Sequence, residues 1–240
     1  MPLYFYFEYI VRLDKFICGS TELTRSLAKK ALHRGDVTCN GEVVKSSDFK
    51  VKNEHVICLN DQQLHLLGAR FIMLNKPLDT LCSTIDEHYP SVLRLIDVIK
   101  ADTLHIAGRL DADTTGLVLI TSNGQWSHNI TSPKKQCAKR YLLEVAEPLN
   151  EQLIETFKQG IALNNEEGLT KPAILEILSS HQARLTITEG KYHQVKRMLA
   201  AVGNKVVKLH REAIGDIELD PSLALGEWRY LTPTEVESVK

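Results

Sequence analysis

Asp111 sits in the run Gly108-Arg109-Leu110-Asp111-Ala112-Asp113-Thr114-Thr115-Gly116-Leu117, between an arginine and a Thr-Thr-Gly turn. The apolar stretch Leu117–Ile120 that follows reads as a buried strand. A short carboxylate beside the end of a core strand is held rigidly, and a nucleophile or general base needs that rigidity. Two plainer readings share these residues. Asp before Thr-Thr-Gly is ordinary turn chemistry, and Asp-x-Asp is also a metal-ligating pattern. No third acid or histidine stands nearby at a spacing that supports a metal site.

Two basic concentrations add a second kind of chemistry. Pro133–Tyr141 carries Lys134, Lys135, Lys139 and Arg140 without an acid. Glu189–Glu212 carries Lys191, Lys196, Arg197, Lys205, Lys208 and Arg211, with acids only at its ends. Tyr141, Tyr192, His193 and His210 are interleaved among them. Cations mixed with rings suit a surface that grips phosphates and stacks bases. The same pattern also arises by chance clustering, with salt bridges to acids elsewhere in the fold.

The elements that must position these groups form two modules. In the first, Thr24 reads as a helix N-cap and Gly35 as the stop. Between them Leu23, Leu27, Ala28, Ala31 and Leu32 share one half of the helical wheel, with Arg25, Lys29, Lys30 and His33 mainly on the other. Val37–Cys39, the turn Asn40-Gly41 and Glu42–Val44 read as a hairpin. Asp61–Gly68 reads as a connection, which gives an organisation of an extension over 1–11, a first module over 12–65, a linker over 66–70 and a larger domain over 71–240. In that domain strands are expected at Phe71–Leu74, Leu117–Ile120, Tyr141–Val145, Ile174–Ile177, Ala183–Ile187 and Val206–Leu209. Helices are expected at Glu151–Gly160 and His193–Val202. This order favours an α+β fold: a small N-terminal module plus a domain built on a mixed, largely antiparallel twisted sheet flanked by helices. No G-x-G-x-x-G fingerprint appears.

Bulk properties narrow the classes. With 29 basic and 30 acidic side chains, whole-molecule attraction to nucleic acid is absent, so any RNA contact must come from local patches. Five cysteines, without C-x-x-C spacing, argue against a disulfide framework or zinc knuckle and suit a reducing cytoplasm. The first ten residues, MPLYFYFEYI, hold five of the fifteen aromatics, lack a basic flank and are too short to span a bilayer. They are expected to be an extension upstream of the functional start, which mass spectrometry of the native protein tests.

Gly108–Gly124 resembles the signature segment of the pseudouridine synthases, in the branch that acts on small-subunit ribosomal RNA. Arg12-Leu13-Asp14-Lys15-Phe16 resembles the opening of that family's S4-type RNA-binding domain. Met73-Leu74-Asn75-Lys76-Pro77 is similar to the start of its catalytic domain, Lys139-Arg140-Tyr141 to its K-x-Y element, and Glu189–Met198 to its closing element. The resemblance runs from residue 12 to about 232. Trp126–Pro133 and Leu169–Ala173 resemble the small-subunit branch more than its large-subunit relatives.

The resemblance implies an isomerase that breaks the C1′–N1 bond of a uridine, turns the base and joins C1′ to C5. Nothing is gained from outside, so no cofactor and no metal is implied. Asp111, rather than Asp113, is then the catalytic carboxylate, acting either by attack on C1′ or by removal of the C2′ proton. Tyr141 stacks beneath the base; its plainer alternative is a strand-core tyrosine. Lys196 stands where most of the family has an arginine that pairs with the aspartate, and either it or Arg197 makes the pair, with Lys196 favoured by alignment. Arg109, Lys139, Arg140, Tyr192, His193 and Arg197 are the expected contacts to substrate RNA. Arg12, Lys15, Arg25, Lys29 and Arg34 are those of the first module, where phosphate contacts position the enzyme. The target nucleotide is expected to be flipped out of its stack. The implied partner is small-subunit ribosomal RNA, free or in a ribonucleoprotein assembly intermediate, met by a cytoplasmic monomer without membrane association. Competing readings are a sister enzyme of large-subunit RNA, a non-catalytic ribosome-binding protein, and a metal enzyme using Asp111 and Asp113.

Overall fold

A computed structural model describes residues 10–239. Most of the expected N-terminal extension, residues 1–9, lies outside them. The chain divides into two compact units. One comprises the described residues up to Arg70 together with Asp97–Ala101, and the other Phe71–Ile96 with the chain from Asp102 onward.

The first unit contains β1 (Val11–Arg12), α1 (Leu13–Ser20), α2 (Arg25–Arg34), β2 (Val37–Cys39), β3 (Glu42–Val43), β4 (Lys50–Val51), β5 (Ile57–Leu59) and β6 (Gln62–Gln63). Thr24 caps α2 by accepting from Leu27 N–H, and Gly35, at φ 87°, donates to the Ala31 and Leu32 carbonyls. Both ends of this helix follow the sequence reading. Its apolar half does not follow it completely, because Leu27 is exposed while Ala28, Ala31 and Leu32 are buried. The small alanines let α2 approach closely, and Leu13, Phe16 and Ile17 of α1 fill the space beneath. Helix α1 is an addition to the expected elements. Its Leu13, Phe16, Ile17 and Ser20 are buried at i, i+3, i+4 and i+7, the spacing of one helical face. The hairpin β2–β3 turns at Asn40-Gly41, both at positive φ. A second hairpin, β5–β6, turns at Asn60-Asp61, also both positive, so Asp61 to Gln63 belong to the module rather than to a connection. β1 pairs with β4, which brings Val11 into the module as well.

The second unit contains β7 (Phe71–Lys76), β8 (His105–Ala107), β9 (Thr115–Thr121), α3 (Gly124–Thr131), β10 (Lys139–Val145), α4 (Gln152–Gln159), β11 (Ile174–Ser179), β12 (Gln182–Ile187), α5 (Gln194–Ala201), β13 (Val206–Ile214), β14 (Ile217–Glu218), β15 (Trp228–Tyr230) and α6 (Pro233–Glu237). Its sheet runs β11-β12-β10-β13-β9-β7-β15, with β14 on β13 and β8 on β9. Every neighbouring pair is antiparallel except β9 with β13. The fold is therefore α+β with a mixed, mostly antiparallel sheet. All of β7, and β9 from Gly116 onward, are buried, and each aliphatic side chain hidden there contributes about 1.5–3 kcal/mol. Helix α3 packs on β8 and β9, α4 on β11 and α5 on β13. Trp126 of α3 meets Phe71 edge-on at 5.1 Å and donates its indole N–H to the Val236 carbonyl of α6 at 3.0 Å. Among the described residues no helix is long and apolar enough to cross a membrane.

Candidate active site

One edge of β9 is shared by two strands, and this creates the site. Near its start β9 pairs with β13 through Thr115–His210 and Gly116–Arg211. Near its end the same edge pairs with β8 through Leu119–Ala107, Ile120–Ile106 and Thr121–His105. Residues 108–114, which carry Asp111, emerge where one partner gives way to the other. A single register row crosses four strands at this point: Lys76 on β7, Gly116 on β9, Arg211 on β13 and Tyr141 on β10.

The two cations of that row are buried, and both hold the Asp111 loop. The Lys76 ammonium donates to the carbonyls of Pro77 at 2.8 Å, Thr114 at 3.0 Å and Ala112 at 3.3 Å, which uses its three protons. Burial pushes the Lys76 pKa down, against the opposing pull of nearby acidic groups including Asp111 and Asp113. The Arg211 guanidinium donates to the carbonyls of Leu117 and Gly108 at 2.8 Å each and of Arg109 at 3.3 Å. It also stands 5.9 Å from the centre of the Tyr141 ring. Thr114 N–H closes a turn onto the Asp111 carbonyl at 3.1 Å. Gly116 makes the approach of β13 feasible. A Cβ there would fall 2.4 Å from the Arg211 oxygen and 2.6 Å from its nitrogen, and φ is +107°.

Asp111 itself receives a different pair of groups. Lys196 Nζ donates to Oδ2 at 3.1 Å, and His193 Nε2 lies 3.3 Å from Oδ1. Lys196 sits on the first turn of α5, and His193 is the residue before that helix, in the left-handed conformation. The same ammonium donates to Asp113 Oδ1 at 2.5 Å. Burial pushes the Asp113 carboxyl up, and the hydrogen bond and charge of Lys196 more than reverse that, so it lies below the ordinary range. Burial likewise pushes Lys196 down and its two carboxylates reverse it, leaving it raised. The Lys196 ammonium thus bridges the two acids. No group of three or more metal-ligating side chains occurs among the described residues.

Asp111 and Tyr141 line one cavity of about 690 Å³, with Arg109, Lys139, Tyr192, His193 and Arg211 also on its wall. Asp111, Tyr141, His193 and Lys196 also line a small cavity of about 100 Å³. Asp113, with a side chain 72% exposed, lines neither. Tyr192 and His193 stack at 3.8 Å, 21° from parallel.

The structure therefore gathers Asp111, Tyr141, Lys196, Arg109, Tyr192 and His193. Arg109 is exposed, and its guanidinium makes no hydrogen bond or ion pair among the described residues. Other expected contacts are already engaged. The Lys139 ammonium is buried and donates to the Ile130 and Cys137 carbonyls, so it braces the cavity wall. Strand alternation places Arg140 on the face opposite Tyr141, where it pairs with Glu212 and Glu218 and does not line the cavity. Arg197 pairs with Glu166 at 2.9 Å and not with Asp111, which resolves the choice left open by the sequence. In the first unit, Arg12 and Arg25 converge on the fully buried Asp14, and Arg34 pairs with Asp36. Lys15 and Arg25 border one cavity there, and Lys29 is exposed. Sequence reasoning missed the positioning roles of Lys76 and Arg211 and the contact of His193 with Asp111. In the sequence Arg211 is one cation among six in a patch, and its burial singles it out.

Comparison with known proteins finds matches to both units of the chain. The family described as RNA pseudouridylate synthase matches residues 70–201, and the S4 domain matches residues 11–57. Ribosomal small subunit pseudouridine synthase A of Escherichia coli (strain K12) is 50% identical over 230 residues, covering 95% of this chain and all of that protein. The protein of the same name from Vibrio parahaemolyticus is 51% identical over 231 residues, covering 95% and 99%. A crystal structure of pseudouridylate synthase superposes with a TM-score of 0.70 at 50% identity, over 96% of this chain and 100% of that one. The chain belongs to the RNA pseudouridylate synthase family and carries an S4 domain ahead of the synthase domain.

Proposed function

We propose that the protein converts one uridine of small-subunit ribosomal RNA to pseudouridine, with Asp111 as the group that acts on the sugar. The observation that supports this most is the Asp111 carboxylate. It is clasped by Lys196, neighboured by His193 and placed with Tyr141 on the wall of a cavity large enough for a nucleoside. The reacting carbon is anomeric, and carboxylates stabilise or trap such centres in glycoside chemistry. C1′–N1 breaks, the base turns within the cavity, C1′–C5 forms, the C5 proton leaves and N1 takes one up. Asp111 begins this at C1′ as nucleophile or at C2′ as base. Tyr141 supports the base and stands ready to help remove the C5 proton. A nucleotide stacked in folded RNA cannot bring C1′ to this carboxylate, so the uridine is flipped out, at a cost of a few kcal/mol offset by stacking and phosphate contacts. Arg109 supplies the phosphate contact. The small-subunit assignment follows the relatives named ribosomal small subunit pseudouridine synthase A, which are about half identical over essentially their whole length.

Incubation with small-subunit RNA transcripts and with partly assembled particles, followed by residue-level mapping, tests the reading. A single modified uridine in one of these substrates is expected. Asp111→Asn should abolish product while leaving RNA affinity within about twofold, since it removes a charge the RNA does not need. Full activity in that variant would overturn the assignment of Asp111.

A further inference from the structure

A second cavity, of about 400 Å³, adjoins the one that holds Asp111. Cys82, Ile106, Arg109 and Thr131 are common to both, so the two are neighbours with Arg109 on their shared wall. The remaining wall comes from Ser83 and Thr84, from His105 on β8, and from Gly124 and Ser127 on α3. We propose that this second cavity receives the nucleotide adjacent to the target uridine in the RNA strand, with the phosphate that joins the two held by Arg109. The inference rests on the function proposed above and adds a sequence-reading subsite to it.

The chemistry of the walls matches a nucleotide part by part. Cys82 and Ile106 give the wall an apolar part suited to the face of a base. Burial pushes the Cys82 thiol up, so it is a neutral, polarizable surface, and it accepts the Leu110 N–H at 3.3 Å. The edges carry groups that can both donate and accept: the Ser127 and Thr84 hydroxyls and the His105 imidazole. None of these three has a side-chain partner among the described residues. Thr131, also on the wall, already donates its hydroxyl to the Ser127 carbonyl at 2.9 Å and can still accept. A phosphodiester lies between consecutive nucleosides, and the unpaired guanidinium lies between the two cavities. Most other cations at this end of the sheet are occupied: Lys196 by Asp111 and Asp113, Lys191 and Arg197 by Glu166, and Arg211 by backbone carbonyls. That leaves Arg109 to meet the charge.

The experiment pairs changes in the RNA with changes in the cavity. The RNA is a small-subunit fragment bearing the mapped uridine, made also with an abasic nucleotide at each neighbouring position in turn. At one of the two neighbours the wild-type protein should lose about tenfold in kcat/KM, the scale of one lost base contact. Ser127→Trp, which fills the cavity from α3, should raise KM for the intact RNA by a similar factor at unchanged kcat. It should then show no further loss with the abasic RNA. His105→Ala should reduce the abasic penalty partially. Affinities of the same RNAs for Asp111→Asn should repeat the pattern without turnover. An abasic penalty in Ser127→Trp equal to that of the wild type, or no penalty at either neighbour in the wild type, overturns the subsite. Absence of pseudouridine from every intact transcript and particle would overturn the function before any abasic RNA is made, whereas equal affinities of the intact and abasic RNAs for Asp111→Asn would overturn the subsite alone.

Discussion

At Lys196 one ammonium serves two carboxylates, Asp111 and Asp113. A compact head with three protons on a flexible stem can divide itself this way, whereas a guanidinium presents a planar fork that favours one carboxylate held by two bonds. This gives a physical reason for lysine at position 196. Lys196→Ala should therefore lower kcat on the order of a hundredfold, about 3 kcal/mol in the barrier, with little change in KM. Lys196→Arg should recover part of that, and single-turnover kinetics would separate the two. Asp113→Asn should leave kcat within a few fold, because Asp113 lines neither cavity. Its effect belongs to stability and has a definite sign. A carboxyl depressed in the folded state stabilises at pH values above its unfolded pKa, near 3.8, and that contribution disappears as pH falls through the lower folded value. The raised Lys196 stabilises below 10.5 and loses its share only as pH rises past the folded value. Denaturant titrations of wild type and Asp113→Asn should thus differ by a constant amount near neutrality. The two should converge in acid below about pH 3.8.

At the scale of elements, the parts that local chemistry dictates are the ones legible in the sequence. Thr24 and Gly35 bound α2, and Asn40-Gly41 makes a hairpin, because each acts on its own backbone neighbours. Asn60-Asp61 turns β5 into β6 by the same left-handed geometry, but without a glycine it reads as ordinary polar connection. Helix α3 escaped because only Trp126 and Ile130 of its eight residues are buried, too few for an apolar face to stand out. Asp111 was legible as a rigid acid through the strand that follows it. What holds it was not, because Lys76 and Arg211 lie far off in sequence and meet the loop only when three strands come into register. Gly116 is the pivot of that register, and its neighbours are backbone atoms that cannot swing away. Gly116→Ala should destabilise the protein by about 3 kcal/mol or more, combining left-handed strain with the collision against β13. A milder substitution in the same row, Lys76→Met, should remove a donor from the carbonyls of Pro77, Ala112 and Thr114, of which Pro77 keeps the Thr80 hydroxyl and Ala112 the Asp79 N–H. Thermal melts of both variants, with Asp111→Asn as the stable but inactive reference, would separate failure of the fold from failure of the chemistry.

For the molecule as a whole, the decisive number is the balance of 29 basic against 30 acidic side chains. A protein without net positive charge gains no general attraction to RNA, so affinity must come from those few cations that are not already neutralised internally. Arg109 and Arg140 make the contrast sharply. Both are arginines near the site in sequence or in space, yet Arg140 pairs with Glu212 and Glu218 while Arg109 makes no ion pair among the described residues. Counterion release counts phosphates neutralised, with each contact to a single strand contributing about 0.7 to the slope of log affinity against log salt. Arg109→Ala should therefore flatten that slope by about 0.7 and weaken binding most at low salt. Arg140→Ala should leave the slope unchanged, because removing a cation that two glutamates already occupy releases no counterion from the RNA. Binding of a small-subunit RNA fragment to both variants across a salt series provides the measurement. Equal slopes for wild type and Arg109→Ala would mean that the phosphate is held elsewhere, since a guanidinium in contact with it cannot be removed without returning a counterion to the strand.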